Sequence, residues 1–410
     1  MSGPRATYIP DLLEAHYEEL QFLWARRQSS LRSPTITMRA FSALDDRLEG
    51  HVQGLLVAGD RLIDLVDEGL SADESAMAFA AAYSLLRLGT EGARSRVLDA
   101  FTSATATRAA GFRQALCQAP VKEILPALQA LFFSPSVNST AAAAEVLAFH
   151  GTLPPQLGPI QQLLQDKNPV IRRSGWRVVG MSALSVDPKL YSAAMRDDDP
   201  HVRRGALEAA AWSALPAAVA LGRSITPTPT AENIGALELL GILGSAEDRT
   251  GMTAIAKAKD LGPARFRILG CYGHPVFVEL LLAEMADPDP ATACAAGAAF
   301  TKMTGQDIDS KNRTKLPPED GHEPDEFEVE FLEEVRLPDP EIARAHWEKV
   351  KPRLARATRI CRGYDMGQGL SPEALASFDM ESRWEHFVRS KFLGRWSGSA
   401  ASLERFPQRQ

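Results

Sequence analysis

The chain has 410 residues, of which 45% are hydrophobic and 24% are charged, as in an ordinary folded protein. Its formal net charge is −7 and its pI is about 5.7, so it lacks the overall basic character of most nucleic-acid-binding domains. Four widely spaced cysteines form no CxxC pair, which argues against a disulfide framework and a structural zinc site and favours a reducing compartment.

The sequence shows no secretory signal and no membrane-spanning segment. The first twenty residues contain no apolar core, and no apolar run approaches the roughly 20 residues that cross a bilayer. We therefore expect no membrane insertion and a cytoplasmic location.

Residues 1–70 are predicted to form a helical N-terminal cap. Apolar residues recur at helical spacing from Asp11 to Gln28 and from Met38 to Ala58. Gly59 then ends the second helix, and Leu62–Leu70 forms a third.

Residues 71–305 are predicted to form a repeat array. DKNPVIRRSGWRVVG at 166–180 and DDDPHVRRGALEAAA at 197–211 align without gaps at an offset of 31, and DPDPATACAAGAAF begins a third copy at Asp287. Asp caps free N–H groups at a helix start, and Pro fits the first turn, where no N–H is needed. Because so short a unit cannot bury its own apolar face, it must stack on its neighbours.

Weaker copies fit the same period, and Ala and Gly in them allow neighbouring helices to approach closely. These copies are Glu74–Leu88, Asn138–Phe149, Ala231–Leu243, Ala264–Cys271 and Pro275–Met285. Trp176 and Trp212 are interpreted as core residues between repeats. The sequence thus predicts an all-α protein, an α-solenoid of HEAT-like helix pairs with a helical N-terminal cap and a helical C-terminal tail.

Residues 306–340 are predicted to form an acidic, Pro-containing linker. Residues 319–334 hold nine acidic side chains and no basic one, which is typical of an extended linker or surface loop. Phe327, Val329 and Phe331 alternate with Glu, so a short edge strand is the alternative there.

Residues 341–410 are predicted to form a locally basic C-terminal helical segment. Its helices are placed at Glu341–Arg362, where Pro352 kinks or divides the helix, at Pro372–Phe378 and at Met380–Phe392.

No catalytic motif is present. The chain lacks HExxH, GxxxxGK[ST] and GxSxG, so we predict no enzyme activity, no cofactor and no metal site. His16 and Glu19 share a helix face but supply only two ligands. Asp45, Asp46, Glu49 and His51 are grouped on the second predicted helix, and we interpret them as a solvated helix face.

Two arginine pairs, Arg172 and Arg173 and Arg203 and Arg204, are the candidate partner-binding residues. They would form a basic stripe for an acidic partner. In the alternative, one Arg of each pair bonds a loop aspartate such as Asp166, Asp197 or Asp198, and the other faces solvent.

The segment HYEELQFLWARRQSSLRSPTITMRAFSALDDRLEGHVQGLLVAG at 16–59 resembles a family of HEAT-like proteins that Gram-negative bacteria encode within type VI secretion gene clusters. AGAAFTKMTG at 296–305, LPDPE at 337–341 and FPQRQ at 406–410 share the resemblance. The residues of the N-terminal family motif that we single out are Trp24, Arg27, Asp45, Arg47 and His51. Gln53 stands where family members often have an acidic residue.

The resemblance implies an accessory role as an adaptor or chaperone whose protein partner is a secretion effector or a spike component. It supplies no catalytic residues. We therefore expect a non-catalytic protein-binding scaffold.

Two other hypotheses remain at this stage. The first is an enzyme or small-molecule-binding protein, like bilin-handling and hydroxylating helical-repeat proteins, with a site built from His16, Asp45, His51 and His150. The second is a nucleic-acid binder that uses Arg353, Arg356, Arg359 and Arg362 on one helix, which the net charge disfavours.

Overall fold

The computed structural model describes residues 9–104, 106–316, 332 and 334–407, and most of them are α-helical. The α-helices are α1 (Pro10–Ser30), α2 (Met38–Leu56), α3 (Leu62–Ser71), α4 (Ser75–Leu88), α5 (Glu91–Thr102), α6 (Ala106–Gln118), α7 (Leu125–Phe132), α8 (Val137–His150), α9 (Gly158–Leu164), α10 (Pro169–Ser182), α11 (Pro188–Ala194), α12 (Pro200–Trp212), α13 (Ala217–Ile225), α14 (Ile234–Leu243), α15 (Arg249–Lys257), α16 (Ala264–Tyr272), α17 (Val278–Glu284), α18 (Pro290–Thr304), α19 (Pro340–Leu354), α20 (Pro372–Ala376), α21 (Met380–Phe392) and α22 (Ala400–Glu404). No helix in the described ranges is long and apolar enough to cross a membrane.

Four short strands interrupt the helices in the C-terminal half. β1 (Asp309–Lys315) pairs antiparallel with β2 (Glu334–Pro338), and β3 (Ile360–Cys361) pairs with β4 (Tyr364–Asp365). The region predicted as a linker therefore begins and ends in a paired strand. The edge strand considered at Phe327–Phe331 lies outside the described residues.

The chain forms two compact units. The N-terminal unit comprises Met1–Ser213 and Ser397–Gln410, and the C-terminal unit comprises Ala214–Trp396. This division separates the end of the chain from the rest of the predicted C-terminal segment. We call residues 397–407 the tail segment.

In the N-terminal unit, the even-numbered helices α4, α6, α8, α10 and α12 pack side by side in chain order. We call them the even-helix row. The odd-numbered helices α3, α5, α7, α9 and α11 each pack against a member of the row, and α1 packs on α2 and α4. Helices with neighbours on several sides are buried nearly all round, which explains why α4 and α8 are rich in alanine.

The C-terminal unit repeats this pattern with α14, α16 and α18 in a row and α13, α15 and α17 packed against them. α21 packs on α14, and β2 and β3 pack on α18. Its core includes Phe266, Phe300 and Trp347.

The recurring Pro marks helix starts, as predicted. Pro169, Pro200 and Pro290 each occupy the first turn of α10, α12 and α18. The preceding Asn or Asp caps each helix; Asp199, for example, accepts hydrogen bonds from the backbone N–H groups of His201 and Val202.

Glycine allows close helix contacts in the row. A side chain at Gly180 would lie 3.3 Å from the Cα of Ala209, and one at Gly111 would lie 2.2 Å from the carbonyl oxygen of Ser75.

Trp176 and Trp212 are buried, which confirms their interpretation as core residues.

The predicted helix Glu341–Arg362 is wrong beyond Leu354. α19 ends two residues after Pro352, and the chain then enters the β3–β4 hairpin. Arg359 is buried and donates to the carbonyl oxygens of Gly241, Gly244 and Cys271. A basic helical stripe through Arg353, Arg356, Arg359 and Arg362 therefore does not exist.

Candidate interaction surface

Charged residues occupy the same position in consecutive helices of the even-helix row. Arg113, Glu145 and Arg177 each precede the last residue of their helix by five positions, and Glu208 precedes the end of α12 by four. We call these four residues the charge ladder. They are spaced 32, 32 and 31 residues apart, so the repeat period aligns alternating charges on one face.

Glu145 pairs with the ladder arginines on both sides of it. Arg113 Nε lies 2.8 Å from a carboxylate oxygen of Glu145, and Arg177 Nε lies 3.6 Å from the same oxygen. Ser174 donates to Glu145 at 2.6 Å. The side chains of Arg113 and Arg177 are 31% and 50% exposed, so these pairs contribute little to stability and leave arginines accessible to a partner.

Glu208 closes the ladder between two arginines. Arg32, from the loop after α1, forms two hydrogen bonds with the carboxylate at 2.7 and 2.9 Å, and Arg204 bonds it at 3.1 Å. Burial alone would raise the pKa of Glu208, but Arg32 and Arg204 outweigh burial and hold it at about 2. The carboxylate is therefore ionised at neutral pH.

The tail segment lies against the even-helix row, where Gln118 contacts its main chain. Gln118 Nε2 donates to the carbonyl oxygen of Glu404 at 3.2 Å, and Gln118 Oε1 accepts from the N–H of Phe406 at 2.7 Å. Arg405 between them is extended, with φ −65° and ψ 132°. One side-chain amide thus binds a peptide main chain at two alternate residues, which requires no particular side chain from that peptide.

Side chains of the tail segment contact α4, α8 and α10, so that with the main-chain contacts to α6 the segment touches four consecutive helices of the row. Glu404 pairs with Arg177 of α10 at 2.6 Å, and Arg405 donates to the Phe149 carbonyl of α8 at 2.8 Å. The Phe406 ring is buried edge-on to Tyr83 of α4. Glu404 is the main influence that raises the pKa of Arg177, followed by the opposing effect of burial and then by Glu145.

Arg27 lies beneath Phe406 and is fully buried. Its guanidinium pairs with Asp45 at 2.6 Å and donates twice to the Glu404 carbonyl oxygen at 3.2 Å. The rings of Trp24, Phe41 and Phe406 surround its Cζ at 4.9–5.5 Å, as in cation–π contacts. Burial raises the pKa of Asp45, which Arg27 only partly offsets. We call Arg27, Tyr83, Gln118, Phe149 and Arg177 the tail-binding surface.

Of the N-terminal family motif, Arg27 contacts Phe406 of the C-terminal FPQRQ, and Trp24 and Asp45 contact Arg27. Trp24 stacks on Phe79 with ring centroids 3.5 Å apart and donates to Gln114 at 2.6 Å. Arg27 of the motif thus holds the tail segment in position through the Glu404 carbonyl and the Phe406 ring.

The other two motif residues lie elsewhere. Arg47 is exposed and lies 3.6 Å from Glu19. His51 contacts His16, with their Nδ1 atoms 3.0 Å apart. Burial, followed by His16, lowers the pKa of His51.

The interpretation of α2 as carrying a solvated acidic face is wrong for two residues. Asp45 is buried against Arg27, and Glu49 is buried against Arg87, which donates to both of its carboxylate oxygens at 2.8 Å. Only Asp46 of the three acids is exposed. Because Asp45 and Glu49 are four residues apart, they lie on one face of α2. That face packs against Arg27 and Arg87 of other helices and does not face solvent.

The residues of the hypothetical His/Asp site do not form one site. His16 and His51 touch, but Asp45 is held by Arg27, and His150 bonds the Leu116 carbonyl at 2.8 Å. A groove of about 560 Å³ in the C-terminal unit, lined in part by Asp287, contains none of these four.

Metal and thiol chemistry find no support among the described residues. No group of three or more His, Cys, Asp or Glu there is arranged to hold a metal ion. Burial raises the pKa of Cys117 and Cys361 to about 12 and raises that of Cys271 well above its usual value. These thiols are protonated at neutral pH and are poor nucleophiles.

The four candidate arginines divide into two roles. Arg172 donates to both carboxylate oxygens of Asp197 at 2.8 Å, and Arg203 donates to the Asp197 carbonyl at 2.7 Å. The Asp–Arg alternative is therefore confirmed for Arg172. Arg173 is exposed, and Arg204 is exposed beside Glu208.

Sequence reasoning missed the charge ladder, although the signal was present. The gapless alignment of 166–180 with 197–211 places Arg177 opposite Glu208. A search for identical residues in the two copies overlooks this position, because one copy has a positive residue there and the next has a negative one.

No protein-family model and no curated protein matches the chain. Among solved structures, it is similar to an engineered protein of the Northeast Structural Genomics Consortium, with 17% identity over 70% of this chain and 88% of that chain. The TM-score is 0.30, and a likeness at that level carries no argument about fold or function.

Proposed function

We propose that this chain is a non-catalytic protein-binding scaffold, built as a HEAT-like α-solenoid, that binds a partner on the even-helix row of its N-terminal unit. The observation that supports this most directly is the tail segment, a short piece of chain bound across four consecutive helices of the row. Repeat arrays use such surfaces to bind extended chains.

The charges around the ladder favour an acidic partner. Four arginines, Arg32, Arg113, Arg177 and Arg204, accompany two acids, Glu145 and Glu208. Arg173 adds a further exposed positive charge one turn before Arg177 on the same face of α10. An acidic surface would be attracted to this stripe.

The biological setting of the proposal comes from the sequence resemblance. We propose that the chain acts in the cytoplasm as an accessory adaptor or chaperone of a type VI secretion system. Its partner would be a secretion effector or a spike component, held by the scaffold rather than chemically altered.

The proposal is tested by affinity capture from the native host with three tagged forms of the full chain. They are the wild type, the double variant Arg173→Glu/Arg204→Glu, and a control, Lys122→Glu/Lys189→Glu. The control makes the same charge change at exposed positions outside the even-helix row. Neither variant alters a residue that contacts the tail segment.

We expect mass spectrometry to find one effector or spike component in stoichiometric amount with the wild type and with the control. Recovery with Arg173→Glu/Arg204→Glu should be at least tenfold lower, because each lost charge contact of about 1 kcal/mol weakens binding several-fold. Equal recovery by all three folded forms would contradict binding on this face. Recovery of no protein by any form would contradict the scaffold function.

A further inference from the structure

We infer that the tail-binding surface is a site for a partner peptide in which an acidic residue stands two positions before an aromatic residue, and that the tail segment occupies it as an intramolecular competitor. The inference rests on the proposed scaffold function and names the chemistry of its partner. The partner is a protein segment that mimics Glu404, Arg405 and Phe406.

The main-chain contacts define an extended peptide. Gln118 bonds the carbonyl of one residue and the N–H of the residue two positions later, a pattern that only an extended segment presents on one side. Arg27 adds two donors to the same carbonyl. These contacts fix the position of a bound peptide along the surface, and because they involve its main chain they do not depend on its side chains.

The acidic residue is selected by charge. Arg177 bonds the Glu404 carboxylate, and Glu145 is the other acid with which it pairs among the residues that the structure describes. Arg113 pairs with that acid from the other side, so the arginines exceed the acids unless the bound segment supplies a carboxylate. A lysine or glutamine in that place would leave the surface positive.

The aromatic residue is selected by the pocket over Arg27. Phe406 is 3% exposed and lies 5.5 Å from the Arg27 guanidinium and 6.2 Å from the Tyr83 ring. A buried guanidinium needs hydrogen-bond acceptors and polarisable neighbours. An empty site would leave Arg27 without its two bonds to the Glu404 carbonyl and without the Phe406 ring, and a bound segment with an aromatic residue supplies both.

The tail segment is suited to exchange. Its helix α22 has five residues, far below the length at which an isolated helix is stable, and Ser397, Gly398 and Ser399 precede it. Side chains of Gln118, Arg27 and Arg177 bind the tail segment, and the Phe149 carbonyl accepts from Arg405, so a second peptide with the same groups can make the same bonds. The covalent link gives the tail segment a high effective concentration, which a partner must overcome.

The test measures binding of a fluorescein-labelled peptide with the sequence of residues 397–407, SGSAASLERFP, by anisotropy. It is titrated with the full-length wild type and with Glu404→Gln/Phe406→Leu, which keeps most of the side-chain volume of the tail segment but removes its ion pair and ring. Labelled peptides with Glu→Gln and with Phe→Ala are the specificity controls.

We expect the peptide to bind the double variant at least about tenfold more tightly than the wild type, because the weakened tail segment competes less. Both control peptides should bind the double variant at least about tenfold more weakly than the unaltered peptide, since each loses one principal contact. If the double variant does not fold, Arg405→Ala, which removes only the contacts to Phe149, provides the same comparison with a smaller difference.

Absence of peptide binding to a variant that melts like the wild type would overturn the inference and make the tail segment a fixed structural element. A dimer that forms with rising wild-type concentration, and not in the double variant, would also overturn it by assigning the surface to a second copy. Failure of the host capture with intact peptide binding would instead contradict the proposed function alone.

Discussion

The two units place charged residues at the same repeat position but cover them differently. In the N-terminal unit, Arg177 is half exposed and contacts a tail segment with a five-residue helix. In the C-terminal unit, Glu238 and Arg267 occupy the same position of α14 and α16 and pair at 3.0 Å. There, Lys302 of α18, one helical turn beyond the equivalent position, is buried and binds Glu381 and Glu385 of the thirteen-residue α21 at 2.7 and 2.6 Å.

This comparison indicates that charges on one face of the helix rows serve two purposes. Under a long helix, a charge such as Lys302 is buried and holds that helix in place. Under a short, tethered segment, the charges remain partly solvated and available to a competing chain. The distinction predicts unequal losses of stability when a charge is removed from each unit.

The largest effect is expected for Lys302→Met. Two carboxylates, Glu381 and Glu385, would remain without their cation, so the free energy of unfolding of the C-terminal unit should fall by about 4 kcal/mol. In the N-terminal unit, Arg177→Met should cost about 1 kcal/mol or less, because that pair is half solvated. Urea denaturation followed by circular dichroism measures both, and equal losses would remove the distinction between the units.

The free energy of unfolding is expected to fall by about 3 kcal/mol in Arg359→Met, because the carbonyl groups of Gly241 and Cys271 would lose this donor, while Gly244 keeps its bond from Arg389. The neighbouring Arg356 is exposed, so Arg356→Met is the matched control and should change stability by less than about 0.5 kcal/mol. Urea denaturation of both variants checks this, and a small effect at Arg359 would mean that water replaces its hydrogen bonds.

Close packing of the even-helix row is tested by Gly111→Ala. The added methyl group would lie 2.2 Å from the Ser75 carbonyl oxygen, so α4 and α6 must move apart, at a cost of about 2 kcal/mol. Gly50 on α2 has open space around it, and Gly50→Ala should be neutral or stabilising by up to about 1 kcal/mol. The midpoint temperature of thermal unfolding should therefore fall for Gly111→Ala and should stay the same or rise for Gly50→Ala.

The smallest effect concerns pH. The folded pKa of Glu208 is about 2, below its ordinary value of 4.5, so its contribution to stability is complete above pH 4.5 and disappears as the pH falls through about 2. The wild type should lose about 1 kcal/mol more than Glu208→Gln between pH 5 and pH 2, after allowance for solvent screening. Glu14→Gln, at an exposed position of α1, is the control and should follow the wild type.

Local signals in the sequence located many of the helices. The predicted helices at Asp11–Gln28 and Met38–Ala58 match α1 and α2 to within two residues at each end, and Pro169 and Pro200 mark the starts of α10 and α12. These features depend on neighbouring residues alone, so periodicity and capping rules suffice.

Features that depend on distant residues were not predictable. Arg27 and Phe406 are 379 positions apart, and no local pattern indicates that they meet. Arg359 resembled a surface residue of a basic helix, but the chain leaves α19 at Leu354 and carries the side chain to buried carbonyls. The HEAT-like solenoid and the secretion setting stay predictions.

The most direct test of the comparison is amide hydrogen exchange of the wild-type chain. We predict that the amide of Phe406, bonded to Gln118, exchanges by local opening and is at least about 100-fold less protected than the amide of Val388 in α21. Equal protection at the two amides, with both lost only in global unfolding, would contradict the claim that the tail segment is an exchangeable occupant of the even-helix row.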